Sequence, residues 1–369
     1  MMNSEGSHCG FRTRLLPFAE RQLAGMKHKI LWEPCTQYSK HRIPGLTVTH
    51  AGTVLAWCEA RQGFDDWSLM DILLQRSEDG GKSFEPPILL ARGTEAHKTV
   101  NNPVIMQDRN GRLHFLYCED YAINGGRVLR RYSDDDGITW SDVCDLTAST
   151  LPDYRNVFAL GPGHGICTPA GDLVVPVWMV PRFFESPVTS HLPSVIGTLF
   201  SRDYGETWQM GELLPHTVEL FSPNETELAL LQDGTVYLNC RLGGGLNYRG
   251  AAYSKTGYSG WSHFHPDRSL HDPCCFGSTA SLKSSDNSFL LLFANCENKR
   301  ARSNVVLKAS TDGGKTWSLR CVIDAGRGGY VEMNTDSHRG RIYLLYEDDW
   351  GSTCHFVTVE PEELQELPT

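Results

Sequence analysis

Ser310-Thr311-Asp312-Gly313-Gly314-Lys315-Thr316-Trp317 is the stretch that decides the fold, because the chain writes the same pattern four times. The other clean copies are Ser77-Glu78-Asp79-Gly80-Gly81-Lys82-Ser83-Phe84, Ser133-Asp134-Asp135-Asp136-Gly137-Ile138-Thr139-Trp140 and Ser201-Arg202-Asp203-Tyr204-Gly205-Glu206-Thr207-Trp208. All read Ser-x-Asp-x-Gly-x-Ser/Thr-aromatic. A damaged fifth copy, Ser254-Lys255-Thr256-Gly257-Tyr258-Ser259-Gly260-Trp261, has Thr256 where the Asp belongs and Tyr258 where the Gly belongs. The residue types have a local logic. A short Asp side chain accepts hydrogen bonds from backbone N–H groups of its own turn, and Gly supplies a corner with φ > 0. The closing aromatic pins the turn to apolar surface beneath it. Counted from the opening Ser, successive copies follow at 56, 68, 53 and 56 residues. Such turns recur by chance in β proteins, but not four times in full at near-regular spacing. A repeat of roughly 40–50 residues or somewhat more is how a β-propeller is written, one four-stranded blade per repeat.

The rest of the chain reads as all-β. Short apolar or alternating runs, Leu46–Cys58, Leu113–Cys118, Asp172–Val177, Thr235–Cys240, Phe289–Phe293 and Ile342–Tyr346, are each bounded by Gly, Pro, Asn or Asp. The one helical candidate is the tail Glu360–Glu366. No linker or shift in composition marks a second domain. The first blade is expected within residues 41–90. The last is expected to close with the C-terminal strands Arg341–Glu360 and the segment near Trp32, a joint that hides sheet edges.

Composition bounds the function. Of 369 residues, 40% are hydrophobic and 21% charged, which is enough apolar material for a large soluble domain. A formal net charge of −10 argues against nucleic acid or an anionic membrane surface as partner. No apolar run approaches the roughly 18 residues that a transmembrane helix needs. Residues 1–25 hold Leu15-Leu16-Pro17-Phe18-Ala19 between charged residues, too short for a signal-peptide core, and Met26 is an alternative start. They are expected to be a disordered or appended extension to a single domain spanning 26–369. The 12 Cys lack Cys-x-x-Cys or regular spacing, which together with the missing signal peptide favours reduced thiols and a cytoplasmic location. The 14 His show no zinc-like spacing, and Gly243-Gly244-Gly245 is not followed by Gly-Lys-Ser/Thr. Neither a metal nor a cofactor is therefore expected.

The repeated turns resemble the Asp boxes of the sialidase (neuraminidase) superfamily, and that resemblance implies six blades. It extends over about residues 41–360 and carries a set of site residues. His41-Arg42-Ile43-Pro44 resembles the motif bearing the first of three arginines that hold a substrate carboxylate. A planar guanidinium pairs with a carboxylate through two parallel bonds, which Lys cannot do. The second, Arg241, ends Leu238-Asn239-Cys240-Arg241, and the third, Arg302, stands eight residues before Ser310, with Arg300 a competitor. The acid/base residue falls in the loop after Arg61. The family's interval of five selects Asp66 over Asp65, while Arg61 itself resembles a pocket residue facing the sugar's 4-hydroxyl.

The same resemblance implies a tyrosine nucleophile. Sialidases depart from the two-carboxylate rule of glycosidases. Their anomeric carbon already bears a carboxylate, which repels an attacking Asp or Glu. A phenol avoids that repulsion but has a pKa near 10, so a carboxylate must take its proton. Tyr330 lies where the family's Tyr falls, although Val331 follows it where Ser is common. Glu225 lies 16 residues before Arg241, the family's interval, with Glu227 close enough to contest the role. Glu347 resembles the residue that orients the first arginine. Asn101-Asn102-Pro103 and Gly161-Pro162-Gly163-His164-Gly165 resemble pocket-shaping loops. Asn102 is expected to touch the sugar, as are Trp178, where relatives often have Tyr, and Phe276, where a Gln is common. The implied activity is that of a retaining exo-α-sialidase acting on sialylated glycans. The alternatives are a hydrolase of a related acidic sugar (Kdn or Kdo) and a propeller that only binds acidic glycans.

Overall fold

The structure is a computed structural model. It describes residues 27–120, 126–150, 155–181, 191–283, 288–348 and 351–366, so the expected extension, residues 1–25, lies outside it. Six sheets, antiparallel apart from a short parallel pairing of Gly163–His164 with Val104–Ile105 in blade 2, surround a central axis, a six-bladed β-propeller. From hub to rim, blade 1 holds Lys40–Val48, Val54–Arg61, Met70–Ser77 and Ile88–Arg92. Blade 2 holds Val100–Gln107, Leu113–Glu119, Arg127–Ser133 and Cys144–Asp145, and blade 3 holds Arg155–Leu160, Leu173–Pro181, Val195–Ser201 and Gln209–Met210. Blade 4 runs Thr226–Leu230, Val236–Cys240, Tyr248–Ser254 and His265–His271, and blade 5 runs Ser278–Lys283, Phe289–Cys296, Ser303–Ser310 and Leu319–Arg327. Blade 6 takes Val331–Asp336, Arg341–Asp348 and Thr353–Val359, and its outer strand is the N-terminal Lys27–Trp32.

Packing explains the composition of these strands. The apolar side chains form six large clusters, each shared by two neighbouring blades. A middle strand therefore meets a neighbour on both faces, and Val54–Arg61 is buried along its whole length. Such strands read as near-continuous apolar runs rather than strict alternations. The tail departs from the helical expectation. Pro361–Glu363 makes only a 3-10 turn, and Gln365–Glu366 adds a short strand beside Leu319–Arg320 of blade 5. With three residues between Glu360 and its C-cap Leu364, the segment has no apolar face worth burying as a helix.

The Asp boxes sit between the third and fourth strands of blades 1 to 5. In the first, Ser77 Oγ accepts from Gly81 N (2.8 Å), while Asp79 accepts from Ser83 N (2.9 Å) and Ser83 Oγ (2.6 Å). The same bonds recur in the other three clean copies. Blade 6 has no box because its third and fourth strands come from opposite ends of the chain. The damaged box closes one residue early: Ser254 Oγ accepts from Gly257 N, and Gly257 takes the positive φ of +84°.

The turn glycines have a second task. A Cβ on Gly81 would lie 2.3 Å from Phe356 of blade 6, and one on Gly205 would lie 2.4 Å from His114 of blade 2. Gly137, Gly257 and Gly314 likewise face Leu55, Val174 and Tyr237 of the preceding blades. In blades 1, 3 and 5 the box turn is pressed into the side of its neighbour, while Gly137 and Gly257 would meet theirs at an ordinary 3.4 Å.

Candidate active site

Strand order decides what meets at the hub. The connections from second to third strand, and from each blade to the next, open on one face; the Asp boxes lie on the other. Every residue nominated from the motifs lies at the first of these ends. There a cavity of about 470 Å³ is lined by Arg42, Arg61, Asp66, Asn102, Trp178, Glu225, Arg241, Arg302 and Tyr330, among others.

At its floor the Tyr330 hydroxyl donates a short hydrogen bond to Glu225 Oε1. Arg241 Nη1 donates to Glu225 Oε2 (2.6 Å) and to the Tyr330 oxygen (3.2 Å). The guanidinium carbons of Arg42 and Arg302 lie 5.0 Å and 5.3 Å from the Tyr330 ring centroid. Burial and the Glu225 carboxylate push the phenol's pKa up, against the pull of the three arginines. In the free protein the phenol therefore keeps its proton, held on the line toward Glu225.

Glu347 organises this floor from below. Fully buried, it accepts from Arg42 Nε (2.9 Å), Ile43 N (2.8 Å) and Tyr330 N (3.1 Å), tying the first arginine and the tyrosine backbone to one carboxylate. Ile43 takes a φ of +55°, an uncommon conformation for a β-branched residue that this bond helps to hold. Arg302 has no carboxylate within ion-pair distance among the described residues, in contrast to Arg42 and Arg241.

The mouth is formed by Arg61 and Asp66. Arg61 Nε and Nη2 donate to Glu59 Oε2 (3.0 and 2.6 Å), and Nη1 donates to Asp66 Oδ1 (2.5 Å). Glu59 Oε1 in turn accepts from Asn102 N (2.8 Å), which holds Asn102 at a φ of +49°. Burial alone would raise the Asp66 carboxyl, but Arg61 and, behind it, Arg42 hold it below the ordinary carboxylate range. Asp66 is the solvent-facing member of this pair, its side chain 48% exposed.

The open alternatives separate in space. Asp65 accepts from Trp67 N within its own turn and faces outward, whereas Asp66 faces the cavity. Arg300 is exposed and lines a neighbouring groove rather than the cavity. Glu227 does not reach Tyr330. It is buried one layer deeper, where its Oε1 accepts from His164 N (3.0 Å). Two nominated residues do not line the cavity: Glu347 supports it from beneath, and Phe276 is fully buried against the Tyr330 ring with centroids 5.5 Å apart. The expectation that Phe276 contacts substrate is therefore corrected. It packs where an apolar ring is favoured, under the phenol rather than beside the ligand.

Sequence reasoning missed other lining residues. His191, which stacks edge-on to Trp178 at 5.4 Å, belongs to no motif in the chain. Cys274, whose Sγ accepts from Arg241 Nε at 3.3 Å, stands out in the sequence only as half of an adjacent cysteine pair. Ser222 and Asn224 line the cavity just ahead of Glu225, and proximity to that Glu was the available signal.

Two further clusters have metal-ligand chemistry that no spacing revealed, and the first draws its members from separate blades. His164, Glu227 and Glu332 gather in the hub beneath the cavity floor, with His164 Nδ1 2.6 Å from Glu332 Oε1 and 3.2 Å from Glu227 Oε2. Burial raises both glutamates, and the charge of Glu332 further raises Glu227. Both carboxyls are thereby biased toward the protonated form, which eases the repulsion between them. His97, Glu119 and Asp120 gather at the surface.

Fold and cavity together define a six-bladed propeller whose hub presents three arginines and a phenol–carboxylate pair. Residues 85–344 match the profile of the BNR repeat-like domain family, and the chain belongs to that family and, with it, to the sialidase superfamily. A sialidase of Bacteroides fragilis is 28% identical over 88% of this chain, and one of Micromonospora viridifaciens is 29% identical over 85%. The chain spans 62% and 50% of those proteins' own lengths. Among solved structures, the Hadza microbial sialidase Hz136 superposes with a TM-score of 0.79 at 24% identity, over 89% of this chain and 67% of that one.

Proposed function

We propose that the protein is a retaining exo-α-sialidase that removes a terminal sialic acid from a glycan through a tyrosine-linked intermediate. The observation that carries this reading is the Tyr330–Glu225 hydrogen bond set among Arg42, Arg241 and Arg302. The three guanidiniums take the substrate carboxylate, and this places the anomeric carbon over the phenol. Glu225 accepts the phenolic proton as the tyrosine oxygen bonds to that carbon. The glycosidic C–O bond breaks, and Asp66 delivers a proton to the departing oxygen. Water then loses a proton to Asp66 and attacks the same carbon. The tyrosine–carbon bond breaks, and Glu225 returns the proton to Tyr330.

Asp66 must arrive protonated, yet Arg61 holds it ionised before substrate binds. Substrate supplies the correction: its carboxylate offsets the arginine charges, and its bulk removes water from a half-exposed side chain. The rate constant kcat/KM therefore rises as pH is lowered from about 7, because the protonated fraction of Asp66 grows.

Release of 4-methylumbelliferone from its α-sialoside tests the reading. Tyr330→Phe and Asp66→Asn are each expected to lower turnover at least ~100-fold, the usual share of a nucleophile or a positioned acid. A 2,3-difluoro sialic acid should lose its 2-fluoride to Tyr330 and add its mass less that of HF to the peptide bearing this residue. Wild-type turnover in either variant removes that residue's role. A second reading, a glycosidase of a related acidic sugar (Kdn or Kdo) with the same machinery, is favoured in its Kdo form by the Trp178 indole in the cavity wall, which offers little to a three-carbon hydroxylated tail that Kdo lacks and Kdn keeps. The corresponding umbelliferyl glycosides, assayed side by side, separate the two.

A further inference from the structure

One layer below the Tyr330–Glu225 pair, the hub gathers His164, Glu227 and Glu332, all of them buried. Glu227 stands two residues past Glu225, and Glu332 two past Tyr330. At the strand period of two, each glutamate faces the hub directly beneath its counterpart in the site. His164 comes from the loop between the first and second strands of blade 3, where Gly163–His164 pairs with Val104–Ile105 of blade 2. A loop of blade 3 and the innermost strands of blades 4 and 6 therefore meet at one point.

Donors are too few at that point. His164 N donates to Glu227 Oε1 (3.0 Å), and His164 Nδ1 lies 2.6 Å from Glu332 Oε1 and 3.2 Å from Glu227 Oε2. One ring nitrogen carries at most one hydrogen and serves only one of those two oxygens well. Glu227 Oε2 is the one left over: it is buried and accepts no hydrogen bond among the described residues. A buried carboxylate oxygen without a donor is costly, and a cation set between the three side chains would satisfy it. Gly163 makes the room. A Cβ there would stand 2.1 Å from Glu227 Oε1 and 2.5 Å from Glu332 Oε2.

We infer that this layer binds one divalent transition cation through His164 Nδ1, Glu227 Oε2 and an oxygen of Glu332. Imidazole suits Zn²⁺ and carboxylate suits Mn²⁺, so one nitrogen with two carboxylates accepts either. The donor atoms lie within 4.8 Å of one another. Around an ion they stand about 3 to 3.5 Å apart, a spacing that small side-chain rotations reach. The imidazole then keeps its hydrogen on Nε2 and both carboxyls bind deprotonated, so the ion displaces the protons that otherwise balance the layer. Bound there, it ties the chain segments bearing Tyr330 and Glu225 to one point beneath them. The site stands on its own ligands and does not depend on the activity proposed above.

Elemental analysis of the full-length protein tests this, after expression with Zn²⁺ or Mn²⁺ in the medium and dialysis against EDTA. Wild type is expected to keep about one equivalent of one of these metals, since a closed layer exchanges slowly, and the metal kept names the ion. Glu227→Gln and His164→Gln should each keep less than ~0.2 equivalent and melt about 5 °C or more below wild type. His97→Ala, which dismantles the surface cluster of His97, Glu119 and Asp120, should keep its metal. Where the hub variants fail to fold, X-ray absorption at the metal edge of wild type decides: a shell of one imidazole and carboxylate oxygens at about 2.0–2.2 Å supports the site. Three results overturn it: metal-free wild type whose melting ignores added Zn²⁺ and Mn²⁺, metal lost with His97, or metal kept in both hub variants. None of these measurements reads sialoside cleavage, so the site and the sialidase reading can fail separately.

Discussion

Tyr330 shows how much of the site single residues declare. Its place after the last Asp box, and the intervals from Arg61 to Asp66 and from Glu225 to Arg241, were legible because strand length and loop length fix them in sequence. Phe276 was not legible, since whether a side chain faces a cavity or the ring beneath it depends on packing from another blade. His41, in the same motif as Arg42, adds a consequence for stability. It is 3% exposed, and burial pulls its imidazole down to about 4 from the ordinary value of about 6.5. The unfolded chain therefore takes up a proton that the native state refuses. Stability is full above pH ~6.5, falls as pH drops toward about 4, and is level below that, a loss on the order of 3 kcal/mol from this residue. Urea unfolding of wild type and His41→Phe at pH 7 and pH 4.5 checks the sign. The gap in stability between the two pH values should be smaller in the variant; an unchanged gap would remove His41 as a cause.

At the scale of elements, the Asp box reads as a self-contained turn, and its Ser, Asp and aromatic behave so. Its glycine answers to something the local pattern does not contain, the flank of the preceding blade. The damaged copy retains a glycine too, and there the positive φ and its own blade's Val236 are the nearer reasons. Losing the Asp and one residue of loop was tolerated, while Gly257 kept a positive φ against Val236 and Val174. Two substitutions separate the conformational cost from the contact cost. Gly340 has a φ of +65° and open space, with nothing within 4 Å of where a methyl would stand, whereas Gly205 has a φ of +83° with His114 2.4 Å away. Gly340→Ala is expected to cost about 1 kcal/mol, the left-handed penalty alone. Gly205→Ala adds the clash, for a total of roughly 3 kcal/mol or more. Chemical denaturation of the two variants measures the difference; equal losses would mean that the box glycines serve only their own turns.

For the molecule as a whole, a propeller has no central core to rescue a weak seam. Its apolar clusters lie between blades, so stability runs round a ring, and the ring is covalently open where blade 6 takes its outer strand from the chain's other end. The repeat spacing in the sequence announced the ring, whereas the seam was expected from how propellers close and not from the residues at the two ends. The sequence could not show that the cores lie between blades, because that depends on which faces of separate repeats meet. Lys27–Trp32 pairs with Thr353–Val359, and Trp32 is buried in the cluster joining blades 6 and 1. Deleting residues up to Glu33 exposes the edge of Thr353–Val359 and empties the Trp32 site. The expected cost is ~3 kcal/mol or more for the indole alone, so the melting temperature falls by roughly 10 °C and a free sheet edge promotes association. A truncation ending just before Lys27 is the control that separates loss of this strand from loss of what precedes it. Scanning calorimetry with light scattering reads both effects. Should the longer deletion melt with the shorter one, the two ends of the chain do not close the ring, and the hub that gathers Arg42 beside Glu347 must be held by blades 1 and 6 in some other way.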